Sequence, residues 1–327
     1  MNFTRFAGNE SVKESLNNDF ASGRLPHALI LQGDDGLGKR MLAKLIAMAA
    51  VCRGDNRPCM NCPACIRAMA SSHPDIRVIE GTGASGAINV DSVKSITSDA
   101  YRKPDESDYS VYLLFAGSSM PEITQNKLLK IIEEPPDGVV FVIVIKSADS
   151  LLPTIRSRAR ILTLRPVKNS EAAEFAVKHH GADPDAALKA AGLFNGNIGR
   201  MLQFLNGSKT SDSQETAAKI ASLLDSTDEH LMLAAAAPMI KDKALFSEVM
   251  DYLAAIFRDA CVLRAGGSGT IGTDASAAEK LAAAQVRQRL ILLPGICMEF
   301  KGYAGRNANM NLLVTAFCAT LRNAVLK

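Results

Sequence analysis

Short, almost wholly apolar runs alternate with amphipathic stretches through the first half of the chain. Each run is five to eight residues long and bounded by turn-forming or polar residues, as is typical of strands that are covered on both faces. The intervening stretches carry apolar residues at helical spacing. This alternation predicts a parallel sheet with helices on both faces. The predicted strands are HALILQ (27–32), DIRVIE (75–80), YSVYLLFA (109–116), VVFVIVIK (139–146) and ARILTL (159–164).

The pattern changes after residue 165, where the strand-like runs stop. Residues 166–207 read as a small helical unit, and the polar segment GSKTSDSQ (207–214) reads as a linker. Long amphipathic helices follow to residue 327, interrupted by a Gly- and Ser-rich loop at 266–276. We therefore predict three domains: an α/β domain at 1–165, a small helical domain at 166–207 and an all-α domain at 208–327.

Composition narrows the class of protein without identifying a partner. Apolar residues make up 47% of the chain and charged residues 22%, which is ordinary for a globular protein, and the net charge of +3 does not by itself indicate nucleic-acid binding. The chain has no Trp, which argues against base stacking as its main mechanism. We find no signal peptide and no apolar run near the ~18 residues of a membrane span. We expect a cytoplasmic protein with no membrane partner.

The segment GDDGLGKR follows a predicted strand and precedes a predicted helix, which is the context of a phosphate-binding loop. Gly33, Gly36 and Gly38 would let backbone N–H groups form an anion cradle, and Lys39 would reach the β- and γ-phosphates. An ordinary Gly-rich turn is the alternative. Arg40 stands where the motif needs a hydroxyl for Mg²⁺, and a guanidinium is not a metal ligand.

Hydrolysis also needs an acid at the end of a later core strand, to order the metal and its water. The strand that should supply it ends at Phe115 and Ala116. The nearest carboxylates, Asp108 and Glu122, lie before the strand and after the following turn. Because the metal ligand and the acids are missing together, we predict that this chain does not hydrolyse a nucleotide, although it can still bind ATP or ADP.

Four cysteines, Cys52, Cys59, Cys62 and Cys65, follow the spacing C-x₆-C-x₂-C-x₂-C. Four thiolates with two-residue loops are typical of a closed structural Zn²⁺ site. An iron–sulfur cluster is an alternative, but the fourth cysteine lies upstream and no Cys-Pro follows. Disulfides or free thiols remain a further alternative. His73 is read as a turn residue, since four thiolates already complete a tetrahedral site.

Arginine side chains cluster in TIRSRARIL (154–162), at positions 156, 158 and 160. A solvated strand edge is one interpretation, since charge runs usually face water. The other is an arginine finger, which stabilises charge on a nucleotide bound by a neighbouring subunit. In GNIGRM, Arg200 stands at the start of a predicted helix and by itself indicates no more than a surface residue.

Taken in order, RLPHALILQGDDGLGK, the cysteine cluster, NKLLKIIEEPPDGVVFVIV, LLPTIRSRA and GNIGR resemble the delta-prime family of bacterial DNA polymerase III clamp-loader subunits, within the AAA+ superfamily. The resemblance covers roughly residues 3–205. It implies an AAA+ P-loop-type domain with a zinc module at 52–65, a helical lid and an all-α collar. It also implies that Arg158, after Ser157, is a trans arginine finger and that Arg200 is the lid arginine. Ala159 replaces the cysteine of the family motif.

The family resemblance implies a subunit of the DNA polymerase III holoenzyme with no ATPase activity of its own. Such a subunit acts as the stator of a ring with tau/gamma-type ATPase subunits and a delta subunit. The assembled ring places the sliding clamp on primer–template DNA, so contact with the clamp is expected to be indirect. Two alternatives are an ATP-hydrolysing tau/gamma-like motor subunit and a structural zinc scaffold that never binds nucleotide.

Overall fold

A computed structural model of the chain describes residues 1–81, 88, 90–117, 120–206, 210–226, 228–268, 270–271, 274–305 and 308–326. It divides into two compact units. The first comprises Met1–Glu171 with Asn197–Arg200, and the second comprises Ala172–Gly196 with Met201–Lys327. The predicted boundary near residue 165 is close to the end of the first unit's main segment, while the division of the remainder into two domains stays a prediction.

The first unit is built on one five-stranded sheet in which every pair of neighbouring strands is parallel, as the sequence predicts. The strand order is β2-β3-β4-β1-β5. Strands β3 and β4 are buried at every position, because helices cover both faces of the sheet. The strands are β1 (Ala28–Gln32), β2 (Ile76–Glu80), β3 (Ser110–Phe115), β4 (Val139–Ile145) and β5 (Arg160–Thr163).

Alternate residues of the central strands enter two separate cores. On one face, Leu31 of β1 packs with Leu42 of the second helix; on the other, Ile30 packs with Leu128 of the fifth. Successive strand side chains point to opposite faces, which explains why each central strand reads as a continuous apolar run. The helices of this unit are α1 (Glu10–Ala21), α2 (Lys39–Val51), α3 (Pro63–Met69), α4 (Val90–Asp99), α5 (Glu122–Glu133) and α6 (Pro153–Arg156).

Beyond β5 the described residues form helices only, in agreement with the predicted helical C-terminal part. Aromatic side chains of the longest helix and the last helix, among them Phe246 and Phe317, lie in one large apolar core. The helices are α7 (Asn169–His180), α8 (Pro184–Leu193), α9 (Ile198–Leu205), α10 (Thr210–Ser222), α11 (Glu229–Ala236), α12 (Pro238–Lys241), α13 (Lys243–Arg264), α14 (Ala275–Ala284), α15 (Arg287–Leu290), α16 (Leu292–Gly305) and α17 (Met310–Leu326).

Two sequence predictions about connections have different outcomes. The interpretation of 207–214 as a linker is wrong over its second half, because α10 begins at Thr210; residues 207–209 lie outside the described part. Ser, Thr and Asp are favoured in the first turn of a helix as well as in loops, so composition alone did not separate the two. Of the predicted loop at 266–276, the described residues 266–268, 270–271 and 274 lie between α13 and α14, whereas 275 and 276 belong to α14. Among the described helices, none has both the length and the apolarity to cross a bilayer.

Candidate functional site

The predicted phosphate loop connects the end of β1 to the start of α2, as its sequence context requires. Gly36 and Gly38 have φ angles of 87° and 82°, in the region that only glycine adopts without strain. Gly38 is the N-cap of α2, so the first amides of this helix open onto the loop. The backbone therefore has the conformation of an anion cradle at the N-terminus of a 13-residue helix.

Lys39 directs its ammonium group into this loop. The side chain is only 8% exposed, and Nζ donates hydrogen bonds to the carbonyl oxygens of Gly33 (2.6 Å) and Asp34 (2.7 Å). A carboxylate oxygen of Asp35 lies 3.6 Å away. Burial lowers the pKa of Lys39, while the charge of Asp35 opposes this shift. The loop itself therefore holds the lysine in place.

A second segment of the first unit, Asn197–Arg200, is seated on the same loop. The Asn197 side-chain amide donates to the carbonyl of Asp35 (2.8 Å), and the backbone N–H of Gly199 donates to the carbonyl of Gly36 (2.9 Å). The Asn197 oxygen also accepts the backbone N–H of Arg200 (3.2 Å). Only the arginine of GNIGR was singled out from the sequence, whereas Asn197 and Gly199 are the residues that bind this segment to the loop.

Arg40 follows Lys39 in the place where the motif has a hydroxyl, and it forms a two-point ion pair although both partners are more than half exposed. Its Nη1 and Nη2 atoms donate to the two carboxylate oxygens of Glu80, at 3.2 and 2.7 Å. Its guanidinium carbon lies 4.5 Å from the centroid of the Phe115 ring. Glu80 ends β2 and pairs in register with Phe115 at the end of β3, so both partners reach the same edge of the sheet. A paired guanidinium thus lies at the edge of the sheet where β2 and β3 end.

The end of β3 carries the residues predicted from sequence, and both are buried and apolar. Phe115 is 2% exposed and Ala116 is fully buried. Asp108 precedes the strand and Glu122 begins α5, so neither stands at the strand's end. Glu80 was missed by sequence analysis, because only the pairing of β2 with β3 brings it to this edge. Its carboxylate is engaged by Arg40.

These groups border one depression of about 370 Å³ in the first unit. Its size is within the range of small-molecule sites. Its wall combines glycine backbone and the two cationic side chains with the carboxylate of Asp35 and several apolar side chains. The lining residues are Asp35, Gly36, Gly38, Lys39, Arg40, Met41, Phe115, Gly117, Val144 and Gly199.

The four predicted cysteines converge on one point. The sulfur atoms of Cys52, Cys59, Cys62 and Cys65 all lie within 4.8 Å of one another, and two of the pairs are 4.0 Å apart. In a tetrahedral site with Zn–S bonds of about 2.3 Å, neighbouring sulfurs are about 3.8 Å apart. The donor set and its spacing therefore fit a metal ion. His73 is not part of this group.

Hydrogen bonds from backbone amides and the burial of some of the thiols shift the pKa values of the cysteine cluster. The N–H groups of Gly54 and Cys59 donate to the Cys52 sulfur, each at 3.4 Å. Hydrogen bonds from the N–H groups of Asn61 and Cys62 lower the pKa of Cys59 to about 6, whereas burial raises the pKa of Cys52 and of Cys65. Buried thiols beside a ready thiolate are well suited to a metal, which stabilises the deprotonated form of each ligand.

Arg158 follows α6 and lies partly exposed beside the end of α5. Its Nη1 donates to the Thr154 carbonyl (3.1 Å) and the Ser157 hydroxyl (3.3 Å), and its Nη2 lies 3.2 Å from a carboxylate oxygen of Glu133. The two other arginines of this cluster have carboxylate partners on other elements of the first unit. Arg156 pairs with Asp149 (3.0 Å) and Arg160 with Asp19 (2.5 Å).

A buried glutamine that the sequence analysis did not single out anchors the segment before Arg158. Gln125 of α5 is 3% exposed. Its amide group donates to the Met120 carbonyl (2.7 Å) and the Ser150 carbonyl (3.1 Å), and its oxygen accepts the N–H of Leu152 (2.6 Å). These bonds fix the start of α6, and the short helix in turn sets the position of Arg158. A polar residue on the buried face of a predicted helix was the available signal.

Comparison with known proteins finds a family model and several proteins that are similar to this chain in sequence. The family model described as "DNA polymerase III, delta subunit" matches residues 8–168. DNA polymerase III subunit delta' of Bacillus subtilis is 26% identical over 259 residues, which are 78% of this chain and 78% of that protein. DNA polymerase III subunit gamma/tau of Mycobacterium bovis is 32% identical over 158 residues, covering 48% of this chain and 27% of that protein.

Among solved structures, a DNA polymerase III gamma subunit-related protein from Thermotoga maritima aligns with 96% of this chain and 98% of its own, at 15% identity and a TM-score of 0.44. The family match and the delta' relative confirm the resemblance drawn from the motifs. The predicted fold class is also confirmed, with its parallel five-stranded sheet and helical C-terminal part. The roles of Arg158, Arg200 and the phosphate loop remain predictions.

Proposed function

Because this chain is a DNA polymerase III clamp-loader subunit similar to the delta' subunits, we propose that it is the non-hydrolysing member of the clamp-loader ring. In this role it is the stator against which the ATPase subunits of tau/gamma type move when the ring opens the sliding clamp. The delta subunit completes the ring, which contacts primer–template DNA as an assembly in the cytoplasm. This chain would contact the sliding clamp only indirectly, through the other subunits of the ring.

One observation carries this proposal: the guanidinium of Arg40, paired with Glu80, lies at the edge where the metal and its acids should stand. Phosphoryl transfer by this class of domain depends on a divalent cation that bridges the phosphates and on an acid that orders the water. The chain offers a guanidinium, which donates hydrogen bonds but cannot take water and phosphate oxygens as metal ligands, next to the buried, apolar Phe115. Hydrolysis must then take place in a neighbouring subunit.

Arg158 is the group through which this chain would act on that neighbour. Its side chain is 41% exposed and its carboxylate partner, Glu133, is 44% exposed, so the ion pair is held only weakly against water. An approaching γ-phosphoryl group offers the guanidinium a stronger, multiply charged acceptor. The hydrogen bonds of Gln125 keep the segment before Arg158 in place while this exchange occurs.

The test is a reconstituted ring in which the other ATP sites are inactivated, so that turnover reports the site next to this chain. Arg158→Ala should lower DNA-stimulated ATP hydrolysis by about 10³–10⁵-fold, the range for trans fingers. Arg156→Ala is the matched control, since it removes a half-buried arginine two positions away that pairs with Asp149. Equal turnover in the two variants would exclude the finger role.

The cysteine cluster fits a structural zinc ion, which Cys52, Cys59, Cys62 and Cys65 would hold. Such an ion would fasten α3 to the end of α2 and supply stability rather than chemistry. The small core formed by Met48, Cys52 and Cys65 supports this role, because it places two ligands in the same packed layer as α2.

An ATP-hydrolysing motor subunit is the second candidate, favoured by the 32% identity to a gamma/tau subunit over 158 residues. The two candidates differ in what the isolated chain does. A motor hydrolyses ATP in the presence of Mg²⁺, whereas the stator does not. Measurable turnover by the pure chain, lost on Lys39→Ala, would favour the motor.

A further inference from the structure

The guanidinium of Arg40 has hydrogen-bond donors that its ion pair with Glu80 does not use. Among the residues that the structure describes, Glu80 takes one N–H from each terminal nitrogen, and a guanidinium carries five in all. The Phe115 ring supports its face at 4.5 Å. The planar group is therefore pre-positioned, with donors left for an additional acceptor at the wall of the depression.

Arg40 and Lys39 are consecutive residues at the N-terminus of α2, and both line the same depression of about 370 Å³. Backbone amides of the loop and the positive end of α2 add to their charge. Arginine is suited to phosphate because its N–H donors match a pair of phosphate oxygens. The ammonium of Lys39 is bound by the carbonyls of Gly33 and Asp34 and lies 3.6 Å from the Asp35 carboxylate, which lines the same depression. Arg40 is therefore the cation of this wall that still has donors for a phosphate group.

We infer that this site binds the polyphosphate group of a nucleotide in its metal-free form, with Arg40 taking the place of the divalent cation. The inference builds on the proposed non-hydrolysing function and specifies the ligand of its loop. Free ATP or ADP would meet Lys39, Arg40 and the loop amides. The same nucleotide carrying Mg²⁺ would bring a second cation against the guanidinium, at an edge where Phe115 and Ala116 offer no oxygen ligand and the Glu80 carboxylate is already paired with Arg40.

Selectivity is the property that separates this site from an ordinary phosphate loop, in which Mg²⁺ strengthens nucleotide binding. Here the like charges of Mg²⁺ and Arg40 repel each other, and the ion must also compete with the guanidinium for the same oxygens. We expect binding of ATP to weaken by about tenfold or more when Mg²⁺ is in excess. Glu80→Gln should tighten metal-free binding, because it removes the negative charge that Arg40 now pairs with.

The experiment is isothermal titration calorimetry on the full-length isolated chain at constant ionic strength, with ATP in EDTA and ATP in excess MgCl₂. The expected result is tighter binding in EDTA. Arg40→Ser should abolish the difference, and Lys44→Ser, which removes an exposed lysine one turn further along α2, should retain it. If Arg40→Ser fails to fold, Glu80→Gln gives a second test with the arginine kept: binding in EDTA should tighten, and unchanged binding would overturn the role of Arg40.

Equal or tighter binding with Mg²⁺ would overturn the inference, and so would the absence of binding under both conditions. Inorganic tripolyphosphate gives a further arm: binding in EDTA assigns recognition to the phosphates, while binding of ATP alone would overturn that assignment. None of these results depends on Arg158, so the ring ATPase measurement can succeed or fail independently.

Discussion

The backbone N–H of Gly199 donates a hydrogen bond to the carbonyl oxygen of Gly36, at 2.9 Å, and so brings the first turn of α9 directly against the phosphate loop. The approach is close enough that a β-carbon at position 199 would lie 2.6 Å from both the Cα and the oxygen of Gly36. Glycine is required there because two backbones meet, and not because its own torsion angles are unusual.

Gly199→Ala should therefore lower the free energy of unfolding by about 1–3 kcal/mol, the usual cost of overpacking. Gly302→Ala is the matched control in α16, because a β-carbon at position 302 meets no atom within 4 Å. That change should be neutral or raise stability by up to about 1 kcal/mol, since alanine favours a helix. Urea denaturation of both variants tests this, and a Gly199→Ala chain as stable as the parent would contradict it.

Arg40→Thr should not create an ATPase. The substitution supplies the hydroxyl that a phosphate loop uses for Mg²⁺, but the end of β3 still presents buried Phe115 and Ala116 in place of acids. A steady-state assay of the isolated variant with Mg²⁺ should give the same background as the parent chain. Turnover that responds to Mg²⁺ would mean that another carboxylate, with Glu80 the first candidate, had been released to act.

Removal of the metal should destabilise the first unit. Cys62→Ser should reduce the bound zinc from about one ion per chain and lower the melting temperature, because a structural zinc ion contributes several kcal/mol to folding. Cys261→Ser is the control, since this half-buried thiol lies on α13, outside the cluster. Metal analysis and thermal unfolding of both variants check the prediction. Unchanged zinc content in Cys62→Ser would contradict the four-thiolate site.

Asp75 should make stability sensitive to acid. Burial would raise the pKa of this 4% exposed carboxylate, but hydrogen bonds from the N–H groups of Asp105, Glu106 and Ser107 outweigh burial and hold the pKa below its usual value. The stabilisation is therefore complete above the unfolded-state pKa of about 3.9 and is lost as pH falls through the lower folded-state pKa.

Replacing this carboxylate should remove both the stability and its pH dependence. Asp75→Asn should cost about 1–3 kcal/mol at pH 7, because an amide cannot accept every bond that the carboxylate accepts. The same variant should lose less stability than the parent between pH 5 and pH 2. Asp108→Asn is the control, because Asp108 is exposed and directly follows residues 105–107, whose N–H groups bind Asp75. If the stability of the two variants changed equally with pH, the role of Asp75 would be refuted.

The strands and the cysteine site could be predicted because their signals are local. A run such as VVFVIVIK fixes β4 by its length and apolar continuity, and the two-residue spacings of Cys59, Cys62 and Cys65 already keep three thiols close together along the chain. Loss of hydrolysis stays a prediction, and it rests on the departure of Arg40 and Phe115 from a motif at known positions.

The remaining features depend on which elements become neighbours. Glu80 and Arg40 are separated along the chain, and only the pairing of β2 with β3 brings the carboxylate to the loop. Asn197 reaches Asp35 from more than 160 positions away, and nothing in GNIGR specifies that acceptor. The helix at 210–214 was missed because its polar residues suit a loop and a helix start equally well.

The ion pair of Arg40 with Glu80 has a consequence for how this lineage can change. Replacement of Arg40 alone would leave the unpaired carboxylate of Glu80 beside the phosphates of a bound nucleotide. Replacement of Glu80 alone would leave the guanidinium of Arg40 to compete with magnesium. Each residue of the pair is therefore expected to constrain what the other can be replaced by. Sequence surveys should find positions 40 and 80 changing together.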